Sequence, residues 1–467
     1  MSSSSREPAP QVSSLERSAL FVATLTSFLG PFMISSVNVA LPAIQADLSM
    51  NAVQLSWIAT AYLLAVAVVL LPVGKIADMR GRKKVFTSGL ATYTLASTLA
   101  AFAGNVTWLL VFRAMQGLGA GMFITTGMAI LTSIFPPHRR GRAIGIYVAA
   151  VYVGLSVGPF VGGILTQQFG WRSIFLIMLP LGAVSITVTL TFLKGEWADP
   201  REQRLDVLGS VIYAAAILAL IYGASILPSL PGGILVLTGV GALAFFFHQQ
   251  RQSAHPVFDV SLFRENRVFA FSSLAALLNY SATFAVTFLL SLYLQYLKGM
   301  PPQTAGTILM AQPVVMALFS PIAGRLSDRV EPRLLASAGM AITVAGMLVF
   351  TQLHAATPTP AIAATLLLLG FGFALFSSPN MSAIMGSVAK EQYGIASGVV
   401  ATMRLMGQMV SMAIATVVLA LMVGRETLTP DNYPHFLLSI RTVFALSAVL
   451  CGAGVYFSMF RGRLRRS

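Results

Sequence analysis

Charge is what this sequence has least of. Only 10% of its 467 residues are Asp, Glu, Lys or Arg, where a soluble domain carries about 25%. With 56% hydrophobic residues and a mean hydropathy of +0.79, the chain cannot cover a water-facing surface, and lipid is its natural solvent. Acidic residues are scarcer than basic ones, 15 against 30, and none lies in the middle of an apolar run. That removes the usual buried titratable anion. The single cysteine, Cys451, sits inside an apolar run, so neither an internal disulfide nor a cysteine metal site is open to the chain, and Cys451 reads as a packing residue. No histidine is central, and there is neither a metal-ligand cluster nor a Walker-type phosphate loop. An embedded enzyme would lack its usual chemistry, and no cofactor or metal is expected.

What recurs instead is the apolar run. A helix needs about 20 apolar residues to cross a hydrocarbon core of roughly 30 Å. Breaks at charged and Pro/Gly segments leave fourteen such runs, near 18–44, 53–73, 84–104, 107–135, 141–168, 171–193, 205–227, 231–249, 268–297, 303–323, 333–353, 359–388, 394–424 and 437–460. The first is longer than a signal-peptide core and reads as a retained span. Nothing between the runs is long enough to be a separate soluble domain, so the expected fold is an all-α polytopic membrane protein.

A net charge of +15 and a pI near 10.4 could mark a nucleic-acid binder, but the placement of the charge argues otherwise. Arg80, Arg82, Lys83 and Lys84, then Arg139, Arg140 and Arg142, then Arg461, Arg463, Arg465 and Arg466 form short clusters between or after spans. This is the positive-inside pattern, and no nucleic-acid partner is expected. With a cytoplasmic N-terminus, only Arg172, Lys298, Arg425 and Arg441 of the 30 basic residues fall on the far side, and Arg113 and Arg404 fall inside spans. An even number of spans then places both termini in the cytoplasm, in a plasma (inner) membrane.

The chain also repeats itself at an offset of about 250 residues, as sequences built from two related halves do. Gly74-Lys75-Ile76-Ala77-Asp78-Met79-Arg80-Gly81-Arg82 follows the second run; Gly324-Arg325-Leu326-Ser327-Asp328-Arg329 follows the tenth. Gly145 and Gly154 match Gly398 and Gly407. The expected organisation is a tail at 1–17, a six-helix bundle at 18–193, a linker with two extra spans at 194–267, a second bundle at 268–460, and a basic tail at 461–467.

Three segments together resemble the fourteen-helix drug:proton antiporter branch of the major facilitator superfamily. They are the loop Gly74 to Lys84, the segment Arg113-Ala114-Met115-Gln116-Gly117-Leu118-Gly119-Ala120, and the segment Gly154-Leu155-Ser156-Val157-Gly158-Pro159-Phe160-Val161-Gly162-Gly163. The resemblance covers essentially the whole chain. It implies the major facilitator fold, two six-helix bundles plus two inserted helices, and multidrug efflux by antiport with protons. A small-molecule substrate and a monomer in the bilayer are expected with it.

The gate residues follow from these motifs. In the loop, Gly74 and Gly81 permit a sharp turn, Asp78 can meet a helix N-terminus, and the basic run with Arg82 anchors at anionic headgroups. By resemblance, Asp78 faces the span near Gly394 and Asp328 the span near Arg142, latching one half to the other. Gly154, Gly158 and Gly162 recur every four residues and line one helix face, while Pro159 removes a backbone hydrogen bond between them. That face could be a static packing seam or a moving one.

One departure from the family pattern bears on chemistry. The branch commonly carries an acidic residue shortly before Asn38-Val39-Ala40-Leu41-Pro42, and here that position is Met33. An arginine within a span costs at least roughly 2.5–3.5 kcal/mol unless it meets a partner or water, so Arg113 and Arg404 are expected to line the cavity, with backbone-bonding structural roles as the alternative. Two arginines without a carboxylate favour a neutral, zwitterionic or anionic amphipathic substrate, and leave open a uniporter or exchanger of anionic or neutral metabolites. Asn38, Gln116, Asn279, Tyr280, Gln312 and Asn380 complete the candidate binding set, while Met403, Met406, Met409 and Met412 form a flexible strip near Arg404.

Overall fold

A backbone in lipid has no water to bond, so each spanning segment must satisfy its own amides, and helix is the solution open to a chain of long apolar runs. The computed structural model describes residues 14–197, 206–252, 261–388, 393–424 and 426–462, and among them there is no strand. The helices are α1 (Ser14–Leu48), α2 (Ala52–Arg80), α3 (Arg82–Ala101), α4 (Val106–Ile134), α5 (Pro137–Phe169), α6 (Arg172–Phe192), α7 (Val207–Ser225), α8 (Leu230–Gln252), α9 (Arg267–Leu297), α10 (Pro302–Ser327), α11 (Pro332–Phe350), α12 (Thr359–Gly386), α13 (Tyr393–Met422) and α14 (Pro430–Phe460). Thirteen are long and apolar enough to cross a membrane. The remaining helix, α3, is diluted by Arg82, Lys83, Lys84 and several hydroxyl residues, but its 20 residues reach about 30 Å.

Helix ends follow local signals. Asn51 and Gln54 form a capping box at the start of α2, Asn105 and Asn266 accept from backbone N–H groups three residues on, and prolines open α5, α10, α11 and α12. Helix α1 extends past the expected run 18–44 at both ends. The reason is electrostatic: Glu16 pairs with Arg139 at 2.5 Å and Asp47 with Arg172 at 2.6 Å, so the flanking acids are neutralised where the helix carries them.

The internal repeat reappears as packing. Gly89 of α3 meets Gly119 of α4 so closely that an added Cβ would lie 2.9 Å from the Gly119 carbonyl; Gly339 of α11 meets Gly372 of α12 in the same way, at 2.5 Å. Gly117 lies on the Tyr62 carbonyl of α2, and Gly370 on the Gln312 carbonyl of α10. Gly154 of α5 sits against the Phe28 carbonyl of α1, and Gly407 of α13 against the Leu277 carbonyl of α9, both at 2.6 Å from a built Cβ. Helices α1–α6 and α9–α14 thus repeat one set of glycine contacts. Helices α7 and α8 form a hairpin between them, with α7 resting on α2 and α13 and Tyr222 edge-on to Trp57 at 6.2 Å.

The basic tail expected from 461 begins differently from that reading. Arg461 is 1% exposed, its Nη1 donating to Asn380 Oδ1 at 2.7 Å and to Ser272 Oγ at 3.2 Å. Arg425, the tail from 463 and the first thirteen residues lie outside the described residues.

Candidate functional site

Fourteen spans put the start of α1 and the end of α14 on one face of the molecule, the terminal face. At the opposite, far face the two halves are sewn together. Ser291 Oγ of α9 donates to the Asn38 carbonyl of α1 at 2.6 Å, and Gln295 Nε2 donates to the Val39 carbonyl at 2.9 Å. Pro42 explains the first of these: it has no N–H, so the carbonyl four residues earlier, that of Asn38, lacks its helical donor and is free to accept across the junction. Tyr296 bonds Gln45, Thr416 of α13 donates to Ser56 of α2 at 2.8 Å, and the Ala52 N–H donates to the Glu426 carbonyl at 3.0 Å. On the other side of the junction, a Cβ on Gly163 of α5 would lie 2.6 Å from the Pro302 carbonyl of α10, and Gly306 packs on the Pro159 carbonyl.

Toward the terminal face no hydrogen bond between described residues joins the halves. A Cβ added at Gly145 of α5 or at its counterpart Gly398 of α13 would meet nothing within 4 Å. Between the far-face ties and these open ends, at mid-depth, lies a cluster contributed by both halves. Tyr152 of α5 shares a 3.3 Å hydrogen bond with Ser377 of α12. Tyr280 of α9 stands edge-on to Phe373 at 5.4 Å, with Ser377 and Arg404 of α13 beside its hydroxyl. Tyr147 lies within electrostatic range of the same guanidinium. Arg404 is the twelfth residue of α13, about 17 Å along the helix, and is half-buried; among the described residues no carboxylate pairs with it. Such a site offers one positive charge ringed by aromatic faces and hydroxyls.

Arg113 has a different setting. It is 1% exposed, donates from Nε to the Ile58 carbonyl of α2 at 3.0 Å, and bonds Gln116, whose Nε2 donates to Ser97 Oγ of α3 at 2.6 Å. Its guanidinium lies 4.6 Å over the Tyr62 ring. The charge is held inside the N-terminal half by a carbonyl, an amide and a ring.

A sequence profile described as Major Facilitator Superfamily matches residues 23–271 and 272–466. The chain belongs to this superfamily. It is 31% identical over 388 residues to "Riboflavin transporter RibZ" of Clostridioides difficile, covering 82% of this chain and 84% of that protein. It is 31% identical over 404 residues to "Multidrug resistance protein Stp" of Mycobacterium tuberculosis, covering 84% and 74%. Among solved structures, a crystal structure of peptide transporter POT in complex with alafosfalin superposes with a TM-score of 0.71 at 14% identity, covering 96% of each chain. That likeness is one of fold. The chain is therefore a multi-pass membrane transporter of small molecules.

Within this transporter the other expected site residues scatter. Asn279 is fully buried, its Nδ2 facing Cys451 Sγ of α14 at 3.9 Å, and Asn380 donates to the Ser272 carbonyl at 3.0 Å while accepting from Arg461. Both lie within the C-terminal half. Asn38 and Gln312 are 3% and 7% exposed, and of the strip near Arg404, Met403, Met409 and Met412 are buried. Among the described residues, Tyr280 and Arg404 come together from two helices of the C-terminal half, and Arg113 and Gln116 within α4.

The gate motifs divide between the two kinds of contact. Gly154, Gly158 and Gly162 pack on α1, where Ser36 Oγ donates to the Gly158 carbonyl at 2.8 Å, so their seam lies inside the N-terminal half; Pro159 and Gly163 on the neighbouring face meet α10 across the junction. Asp78 pairs with Arg82 at 2.8 Å, and Arg82 reaches Ser133 Oγ at 2.6 Å. Gly74 packs near Thr125, and Gly81 turns at φ +108°. The surroundings of Gly394 and the side chain of Arg142, named as partners for Asp78 and Asp328, lie outside what is described. Sequence reasoning missed Tyr147, Tyr152, Ser377, Ser291 and Gln295. Tyrosine normally gathers at membrane interfaces, so a tyrosine in mid-span was the available signal.

Proposed function

We propose that this transporter is a secondary active exporter of small amphipathic molecules that are neutral, zwitterionic or anionic, working by alternating access from a cytoplasmic terminal face. The observation that carries the reading is Arg404 at mid-depth between the halves, near Tyr147 and Tyr280, with Tyr152 bonded to the adjoining Ser377 and, among the described residues, no carboxylate paired to the guanidinium. A cationic substrate would meet repulsion there; an anionic or polar aromatic one would find a charge partner and ring faces. The far-face ties and the open terminal ends of α5 and α13 are what a conformation accessible from one side requires. Resemblance to a multidrug resistance protein and to a riboflavin transporter fits a site of this breadth.

Proton antiport is the expected coupling by family. A second reading, uniport or exchange without proton coupling, is favoured by the fully buried Met33 where the branch carries an acid. Energised cells loaded with anionic or cationic amphipathic dyes separate these. Efflux of the anionic dye that stops when the proton gradient is collapsed supports coupled export. Persistence of that efflux supports the second reading, and efflux of cations alone overturns the substrate assignment.

A further inference from the structure

Beyond the transport site, the terminal face carries a groove between α3 and α6. It measures about 520 Å³ and is lined by Lys83, Lys84, Thr87, Ser88, Ala91 and Leu190, with Gly195 and Glu196 at its mouth. The lining follows one stripe of α3, and Ala91 lies about 13 Å along the helix from Arg82. The groove therefore descends from the charged end of the helix into the apolar belt, where Leu190 is 60% exposed.

The polar groups at its mouth are unevenly committed. Glu196 Oε1 accepts from the Lys83 N–H at 2.8 Å, so the acid caps the start of α3. The hydroxyls of Thr87 and Ser88 donate to carbonyls of their own helix, at 2.8 Å to Lys83 and 3.0 Å to Val85. The ammonium groups of Lys83 and Lys84 have no hydrogen-bond or ion-pair partner among the described residues. Two free cations stand over a slot whose lower wall is hydrocarbon.

We infer that this groove holds one anionic phospholipid, its phosphate between Lys83 and Lys84 and one acyl chain running down past Ala91 and Leu190. Charge complementarity selects the headgroup and the exposed apolar wall selects a lipid over a soluble phosphate. This is more than the general attraction of a basic loop for a charged surface, because the lower half of the site is a shaped apolar slot. It also places the lipid beside the turn at Gly81, where the Arg82 N–H donates to the Trp197 carbonyl at 2.9 Å, so occupancy bears on the gate loop.

Native mass spectrometry of the full chain in detergent, titrated with phosphatidylglycerol or phosphatidylcholine, tests this. Wild type should retain one phosphatidylglycerol and not phosphatidylcholine. Lys83→Gln with Lys84→Gln should weaken retention roughly 30-fold, the combined contribution of two lysines at an anionic headgroup. Ala91→Phe, which keeps both lysines and fills the slot, should also lose the lipid; a purely electrostatic attraction would leave it unchanged. Arg264→Gln, remote from the groove in sequence, controls for general loss of charge. Retention of phosphatidylglycerol by Ala91→Phe, equal retention of phosphatidylcholine by wild type, or displacement by inorganic phosphate alone would each overturn the assignment.

Discussion

Arg113 and Arg404 are the two arginines that the sequence places inside spans, and the fold gives them opposite settings. Arg113 is sealed in the N-terminal half, its guanidinium satisfied by the Ile58 carbonyl, Gln116 and the Tyr62 ring. Arg404 stands at the junction, half-buried, among tyrosines from α5 and α9. An arginine whose donors end on its own bundle is part of the scaffold, whereas one facing groups from the other half changes surroundings whenever the halves move. Insertion cost alone cannot separate the two, because it depends on depth and not on which neighbour relieves it.

The largest expected effect lies at the junction. Arg404→Glu should abolish efflux of an anionic amphiphile while membrane abundance stays near wild type, read by dye efflux beside immunoblotting of membranes. Undiminished anionic efflux would remove Arg404 from the site. The converse holds inside the bundle. Arg113→Met should lower the thermal stability of the purified protein, because Gln116 Oε1 loses its donor in a buried setting, at about 1–3 kcal/mol, and the Ile58 carbonyl keeps only its helical one. Arg404→Met should melt near wild type. If Arg113→Met kept full stability and lost only transport, the contrast between the two arginines would fail.

Much of the architecture was legible because lipid makes it so. Apolar runs, the basic clusters and the offset of about 250 residues specify the spans and the two halves, and the repeated glycines reappear as matched contacts such as Gly89 with Gly119 and Gly339 with Gly372. Of the proposed junction cluster, a residue was legible only where a cost forced a choice, as at Arg404. Asn279 and Asn380 looked the same in sequence as cavity residues, yet face Cys451 and Arg461 within the C-terminal half. The reason is that a polar side chain in a span is satisfied equally well by a neighbouring helix or by a cavity, and sequence does not record which face turns inward. Ser291 was invisible for another reason: its partner is a backbone carbonyl freed by a proline 249 positions away in the chain.

That tie offers an intermediate effect. Ser291→Ala removes the donor to the Asn38 carbonyl, a contribution of about 1 kcal/mol, and should shift the balance toward far-face opening roughly fivefold. A cysteine introduced by Asn38→Cys would report it, since the one native cysteine, Cys451, is buried. Its labelling by an impermeant thiol reagent from the far side should quicken when Ser291→Ala is added. Unchanged labelling would mean that Gln295, Thr416 and the Pro159–Gly306 contact hold the face without it.

The smallest effect concerns the hairpin that has no counterpart in either half. Asp206 caps α7, accepting from the Gly209 N–H at 2.8 Å and from Gln250 and Gln249 at 2.7 and 3.1 Å. Burial raises its pKa, but these hydrogen bonds and the charge of Lys75 outweigh that and hold it below the ordinary carboxylate value. A pKa lowered by folding gives stability that is present above the unfolded value and lost as pH falls through the folded one. Wild type should therefore melt above Asp206→Asn at neutral pH, and the gap should close on acidification through the carboxylate range. Because the hairpin rests on α2 and α13 without joining the cluster at Arg404, the same substitution should leave anionic efflux nearly unchanged. A gap that widens in acid would reverse the sign of the Asp206 contribution; a large loss of efflux would make the hairpin part of the moving junction instead of its support.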